Sequence, residues 1–155
     1  DLICLGKALT GALPLSACVG KKSAMRAWPR SDGEAIHTTT FLGNPLACAA
    51  ALASLEKFKR RNAGSAAKLL GKSLTEAFRD HPAVLEIRGL GLMWGLELAP
   101  GSAVRVADRL LQRGILALAE GERGEVLAIT PPLAIEKAEL RFAADQIREA
   151  MNEIR

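Results

Sequence analysis

The chain has 155 residues, 49% apolar and 25% charged, a balance too apolar for a disordered segment and long enough for one domain or two small ones. Its net charge of +4 is spread over scattered lysines and arginines, with 4% aromatics and no tyrosine, so the basic stripe and stacking rings of a nucleic-acid binder are missing. Cys4, Cys18 and Cys48 form no CxxC pair and there are only two histidines, which excludes a disulfide framework and a metal site by pattern; no apolar run has the length of a membrane span.

In chain order, Leu2 to Leu5 has the apolar character of a buried strand and delivers Lys7 between two minimal side chains, Gly6 and Ala8. A lysine at the end of a buried strand is partly desolvated. That favours the neutral amine needed to attack a carbonyl, and the small neighbours leave room for a flat cofactor. Leu13 to Val19 reads as a second strand, Ser23 to Trp28 as a short helical segment ended by Pro29, and Arg30 to Glu34 as loop. The three cysteines lie in apolar segments and are expected to be buried free thiols in a reducing cytoplasm. The abrupt start at Asp1, inside a strand and without methionine, suggests a piece of a longer protein.

His37-Thr38-Thr39-Thr40-Phe41-Leu42-Gly43-Asn44-Pro45-Leu46 is the second informative stretch. Asn44 is placed to cap a helix whose first residue is Pro45. Hydroxyls beside free backbone N–H groups at a helix start make an anion site, most often for phosphate. The helix runs to about Arg61 with an alanine-rich face, and Arg60 to Gly64 closes it as a boundary. A second helix spans Ser65 to Arg79 on a stripe of Leu69, Leu70, Leu74 and Phe78, ended by His81-Pro82.

Short strands follow. Val84 to Arg88 and Leu92 to Leu98 meet at the Gly89-Leu90-Gly91 turn; a helix covers Val104 to Gln112; Ile115 to Ala119 and Val126 to Thr130 flank a hairpin turn; and the last helix presents Leu140, Ala143, Ile147, Ala150 and Ile154. The pattern describes a small α/β domain following a helix-bearing first segment.

Gly20-Lys21-Lys22-Ser23 lacks the first glycine and the hydroxyl of a P-loop, the glycines of Gly89 to Gly95 are out of step with a dinucleotide fingerprint, and there is no GxSxG elbow. His37 and His81 are isolated and read as structural polar residues. What remains is an amine at Lys7, an anion site around Thr40, and Arg88, whose guanidinium can grip a carboxylate through two parallel hydrogen bonds. These are the parts of a pyridoxal-phosphate enzyme: an imine partner, a hold on the cofactor phosphate and a hold on an amino-acid substrate.

Leu5-Gly6-Lys7-Ala8-Leu9-Thr10-Gly11, Leu13-Pro14-Leu15-Ser16-Ala17, His37-Thr38-Thr39-Thr40-Phe41, Gly43-Asn44-Pro45-Leu46-Ala47 and Arg88-Gly89-Leu90-Gly91-Leu92-Met93 together strongly resemble the class III pyridoxal-phosphate-dependent aminotransferases, a family that includes acetylornithine, ornithine and 4-aminobutyrate aminotransferases. The motifs stand in family order and the resemblance extends over nearly the whole chain. It implies the C-terminal part of a fold-type-I transferase, with residues 1–62 ending the large cofactor domain and 63–155 forming the small C-terminal α/β domain. It implies that Lys7 is the Schiff-base lysine and proton carrier. Thr40 would bind pyridoxal phosphate across a homodimer interface, Thr39 would add a second phosphate contact, and Arg88 would hold a substrate carboxylate. The reaction implied is transfer of an amino group from an amino acid or ω-amine to a 2-oxo acid such as 2-oxoglutarate.

Leu42 departs from the second glycine of many family members. The family's phosphate loop, stacking aromatic and pyridine-binding aspartate would precede Asp1, so the chain alone is expected to hold cofactor poorly and to be inactive. The alternatives are a decarboxylase or aminomutase of the same fold, or a truncated homologue serving dimerisation or partner binding.

Overall fold

The computed structural model describes residues 1–30, 32–33 and 40–154, which divide into two compact units, Asp1–Arg61 and Asn62–Arg155. In the first unit, β1 (Leu2–Leu5) pairs antiparallel with β2 (Ala17–Gly20), and a single 3-10 turn, Lys7–Leu9, follows β1 directly. A short helix α1 (Lys22–Met25) leads away from β2, and α2 (Pro45–Arg60) lies alongside the 3-10 turn. The only described residues buried in this unit are Ala47 and Ala51, on the alanine face of α2.

Two sequence expectations are not met within residues 1–155. β1 is not buried: all four of its residues are exposed, Ile3 at 62%, and Val19 opposite it at 55%. A two-stranded ribbon has no second layer of its own, so apolar character alone does not bury it. The cysteines are not buried thiols either, since Cys4 and Cys18 are exposed and Cys48 is half-buried.

The second unit begins at Asn62, whose left-handed backbone (φ 47°) separates α2 from α3 (Ala63–Phe78). Gly64 therefore lies inside α3 rather than closing the preceding helix. Strands β3 (Glu86–Leu90), β4 (Met93–Glu97), β5 (Leu118–Glu120) and β6 (Val126–Ile129) form an antiparallel sheet in the order β3-β4-β6-β5. Helices α4 (Ser102–Gln112) and α5 (Lys137–Glu153) join α3 in covering the sheet.

Period-two alternation chooses the covered side. Leu96, Leu127 and Ile129 point into a core with Leu74 and Phe78 of α3, Val106 and Leu110 of α4, and Leu140, Ile147 and Met151 of α5. The start of α5 is fixed by a reciprocal cap, in which Glu139 accepts from the Glu136 amide at 2.8 Å and Glu136 caps the third helical position.

The first hairpin of this sheet is tighter than its glycines suggest. Its turn is Gly91-Leu92, with Gly91 in the left-handed region at φ 61°, while Gly89 sits within β3. Gly89 faces Trp94 across the pair, and a Cβ there would come within 2.2 Å of the Met93 carbonyl oxygen. The glycine is thus required by the close approach of the neighbouring strand, not by the turn. The Trp94 indole then donates to the Gly91 carbonyl at 2.8 Å and ties the turn to the sheet.

Candidate functional site

Lys7 sits where β1 ends and the 3-10 turn begins. Its φ of 46° is left-handed, a conformation that costs a side-chain-bearing residue on the order of 1–3 kcal/mol and persists only where the surroundings impose it. The surroundings here are a short loop organised by one hydroxyl. Thr10 Oγ1 accepts from the Leu13 amide at 3.0 Å and from the Ala12 amide at 3.4 Å, and donates to the Leu13 carbonyl. The Leu9 amide bonds the Gly6 carbonyl at 3.0 Å and closes the turn under the lysine.

This loop shapes an open depression of ≈ 680 Å³ lined by Lys7, Ala8, Gly11, Ala12, Leu13, Pro14 and Leu15. Its size falls in the range of small-molecule sites, about 300–1,000 Å³. Lys7 forms no ion pair or side-chain hydrogen bond with another described residue, unlike Lys21, which binds Asp1 at 2.7 Å. An unpaired amine at the mouth of an apolar-walled opening is chemically suited to condense with a carbonyl. Burial of β1 contributes nothing to that reactivity within this chain, because the strand is exposed.

Thr40 opens the turn that precedes α2 and is exposed. Thr39, expected as a second phosphate contact, lies outside the described residues, as does His37. The expected supply of free helix N-terminal amides is smaller than the sequence suggests. Asn44 Oδ1 accepts from the Leu46 amide at 3.0 Å and the Ala47 amide at 3.1 Å, and Pro45 has no amide to offer. The Cys48 amide bonds the Asn44 carbonyl at 2.9 Å. The cap that starts the helix therefore occupies the donors an anion would use. Among the described residues of this loop, the exposed Thr40 hydroxyl is the side-chain donor able to meet a phosphate.

Arg88 belongs to the other unit, on the face of β3 opposite the core. Its guanidinium is not idle: it donates to Glu86 at 2.8 Å and to Glu97. The hydrogen bond to Glu97, then the charges of Glu97 and Glu86, outweigh desolvation and raise the Arg88 pKa above its ordinary value. The two carboxylates follow from strand alternation and register. Glu86 is two residues from Arg88 on the same face, and Glu97 is the cross-strand partner of Glu86. Sequence reasoning missed Thr10, Glu86 and Glu97. The hairpin centred on Gly91-Leu92 was the available signal, because once the turn is placed the register puts Glu97 beside Arg88.

The described residues contain no group of three or more histidine, cysteine, aspartate or glutamate side chains able to hold a metal, and no helix long and apolar enough to cross a membrane.

Comparison with known proteins places these features in a family. The family model for class III aminotransferases matches residues 1–151. Ornithine aminotransferase 1 of Staphylococcus aureus is 38% identical over 143 residues, covering 90% of this chain and 34% of that protein. Acetylornithine aminotransferase of Methanocaldococcus jannaschii is 35% identical over 159 residues, covering 100% of this chain and 38% of that protein. The crystal structure of ornithine aminotransferase from Toxoplasma gondii superimposes with a TM-score of 0.84 at 33% identity, covering 99% of this chain and 37% of that one. The chain thus spans little more than a third of the length of these relatives. Class III aminotransferases depend on pyridoxal phosphate, and another Toxoplasma gondii structure of the enzyme is described with partial occupancy of this cofactor at its active site. The mixed α/β fold, the motif order and the match over 151 residues lead to one conclusion: this chain belongs to the class III aminotransferase family.

Proposed function

We propose that these residues form the C-terminal part of a pyridoxal-phosphate-dependent aminotransferase, acting as a homodimer, that moves an amino group from an amino acid or ω-amine of the ornithine, acetylornithine or 4-aminobutyrate type to a 2-oxo acid such as 2-oxoglutarate. In this reading residues 1–62 end the cofactor domain and 63–155 are the small C-terminal domain. The observation that carries it is Lys7: a left-handed lysine, without an ion pair among the described residues, at the edge of an open, apolar-walled depression.

The residues present fit the cofactor. The depression beside Lys7 is large enough for its ring, and the Gly6 Cα leaves the space where a Cβ would stand in only ordinary contact, 3.9 Å from the Leu15 carbonyl oxygen. When bound, pyridoxal phosphate supplies an electron sink for the carbanion left by loss of a substrate proton. Lys7 Nζ is the covalent anchor and, once released, the base that moves the proton at the reacting carbon. Thr40 Oγ1 donates to a phosphate oxygen, with Thr39 as a second donor. Arg88 holds the substrate carboxylate, which takes over a guanidinium already shared by Glu86 and Glu97.

The full-length protein, incubated with pyridoxal phosphate, reduced with borohydride and digested, should carry its pyridoxyl group on Lys7. An adduct on another lysine, or none, removes the assignment.

A further inference from the structure

Cys4 and Cys18 stand directly opposite one another in the β1–β2 register. The kind of pair they form follows from one backbone bond. The Lys21 amide donates to the Asp1 carbonyl at 3.0 Å, which makes Asp1 and Lys21 a hydrogen-bonded pair at the end of the ladder. Antiparallel pairs alternate. Leu2 and Gly20 are then a non-hydrogen-bonded pair, Ile3 and Val19 a hydrogen-bonded one, and Cys4 and Cys18 non-hydrogen-bonded again.

At such positions the Cα atoms stand about 4.5 Å apart and the side chains are closest. A disulfide spans Cα separations of about 4.4–6.8 Å, so the backbone already holds the two sulfurs within bonding reach. Both thiols are free in this chain. Partial desolvation, then the hydrogen bond to and the charge of Cys4, hold the Cys18 thiol above its ordinary pKa, which puts the Cys4 side chain beside it.

We propose that Cys4 and Cys18 form a reversible cross-strand disulfide under oxidising conditions, clasping the loop that carries Lys7. The bond would close a ring around Leu5–Ala17, which contains Lys7, the organising Thr10 and every residue lining the depression. The oxidant is a low-molecular-weight disulfide such as glutathione disulfide. One chain thiolate attacks it, forming a mixed disulfide and expelling one thiolate. The second chain thiolate attacks the chain sulfur of that intermediate, forming the Cys4 Sγ–Cys18 Sγ bond and expelling the second. The two cysteines are oxidised, the small disulfide is reduced to two thiols, and the protons lost by the cysteines end on those products. A dithiol reductant reverses the sequence.

The test is chemical and independent of amino transfer. Full-length protein is treated under native conditions with glutathione disulfide, quenched in acid, labelled with N-ethylmaleimide and digested with trypsin without reduction. Cleavage after Lys7 and after Lys21 separates the two cysteines in sequence. The expected result is a peptide ending at Lys7 linked through Cys4 to the Ala8–Lys21 peptide, lighter by two hydrogens than the sum of its parts, free of maleimide at both sulfurs and released by dithiothreitol. The Cys18→Ser variant should lose the link and leave Cys4 labelled or glutathionylated. Full maleimide labelling of both cysteines, glutathione adducts without a cross-link, or a link that runs through Cys48 would each overturn the proposal.

Discussion

The two compact units of this chain are stabilised to very different extents by their own residues. Asn62–Arg155 closes a three-helix layer over a four-stranded sheet, with Phe78, Val106, Leu110, Leu127 and Met151 at or near 0% exposure. Asp1–Arg61 buries, among its described residues, two alanines, and leaves Leu2, Ile3 and Val19 bare on its strand pair. Yet Lys7, the proposed imine-forming residue, lies in the thin unit. The difference teaches that, within residues 1–155, the lysine loop is held by local devices, a left-handed residue and a threonine that organises the turn. A segment of this kind can hold an unusual backbone and still be reached by a ligand.

The contrast is broken most directly by a core truncation. Phe78→Ala, which empties a site at 0% exposure where α3 meets the sheet, should lower the stability of the second unit by about 3–5 kcal/mol, read as a fall in denaturant midpoint. A loss below about 1 kcal/mol would mean the core is less tightly packed than its burial indicates. Next in size is Arg88→Lys in the full-length protein. It replaces a fork by a point charge and should raise the KM of the amino-acid donor roughly tenfold, about 1.4 kcal/mol. Because the Arg88 ion pairs are half-exposed and solvent-screened, stability should change little. A change in stability with an unchanged KM would assign Arg88 to the sheet and not to substrate. The smallest effect is expected for Ile3→Ala in residues 1–155. With Ile3 at 62% exposure, the shift should stay within about 0.5 kcal/mol; a larger one would show that β1 is packed after all.

The helices were legible because their signals are local. Asn44-Pro45 announces the start of α2, and the stripe of Leu70, Leu74 and Phe78 orients α3. The same locality misled where a group's fate depends on what it meets. The sequence places Asn44 as a cap beside free amides, but its carboxamide consumes the Leu46 and Ala47 donors an anion site would need. At Gly89 residue type alone does not distinguish a turn from a close approach; only the position of Trp94 across the ladder does.

By itself the sequence determined the chemistry that is available: an amine between small residues, a hydroxyl-rich loop before a capped helix, an arginine entering a glycine hairpin, and the motif order that marks the family. Those are properties of residue type and spacing. The tertiary structure alone decided partnership. Strand register set Arg88 beside Glu97, Cys4 against Cys18, and Gly89 against Trp94, while the turn after β1 put Lys7 into its left-handed conformation. Sequence separation carries no record of such pairings, because a one-residue shift in register would exchange every one of them.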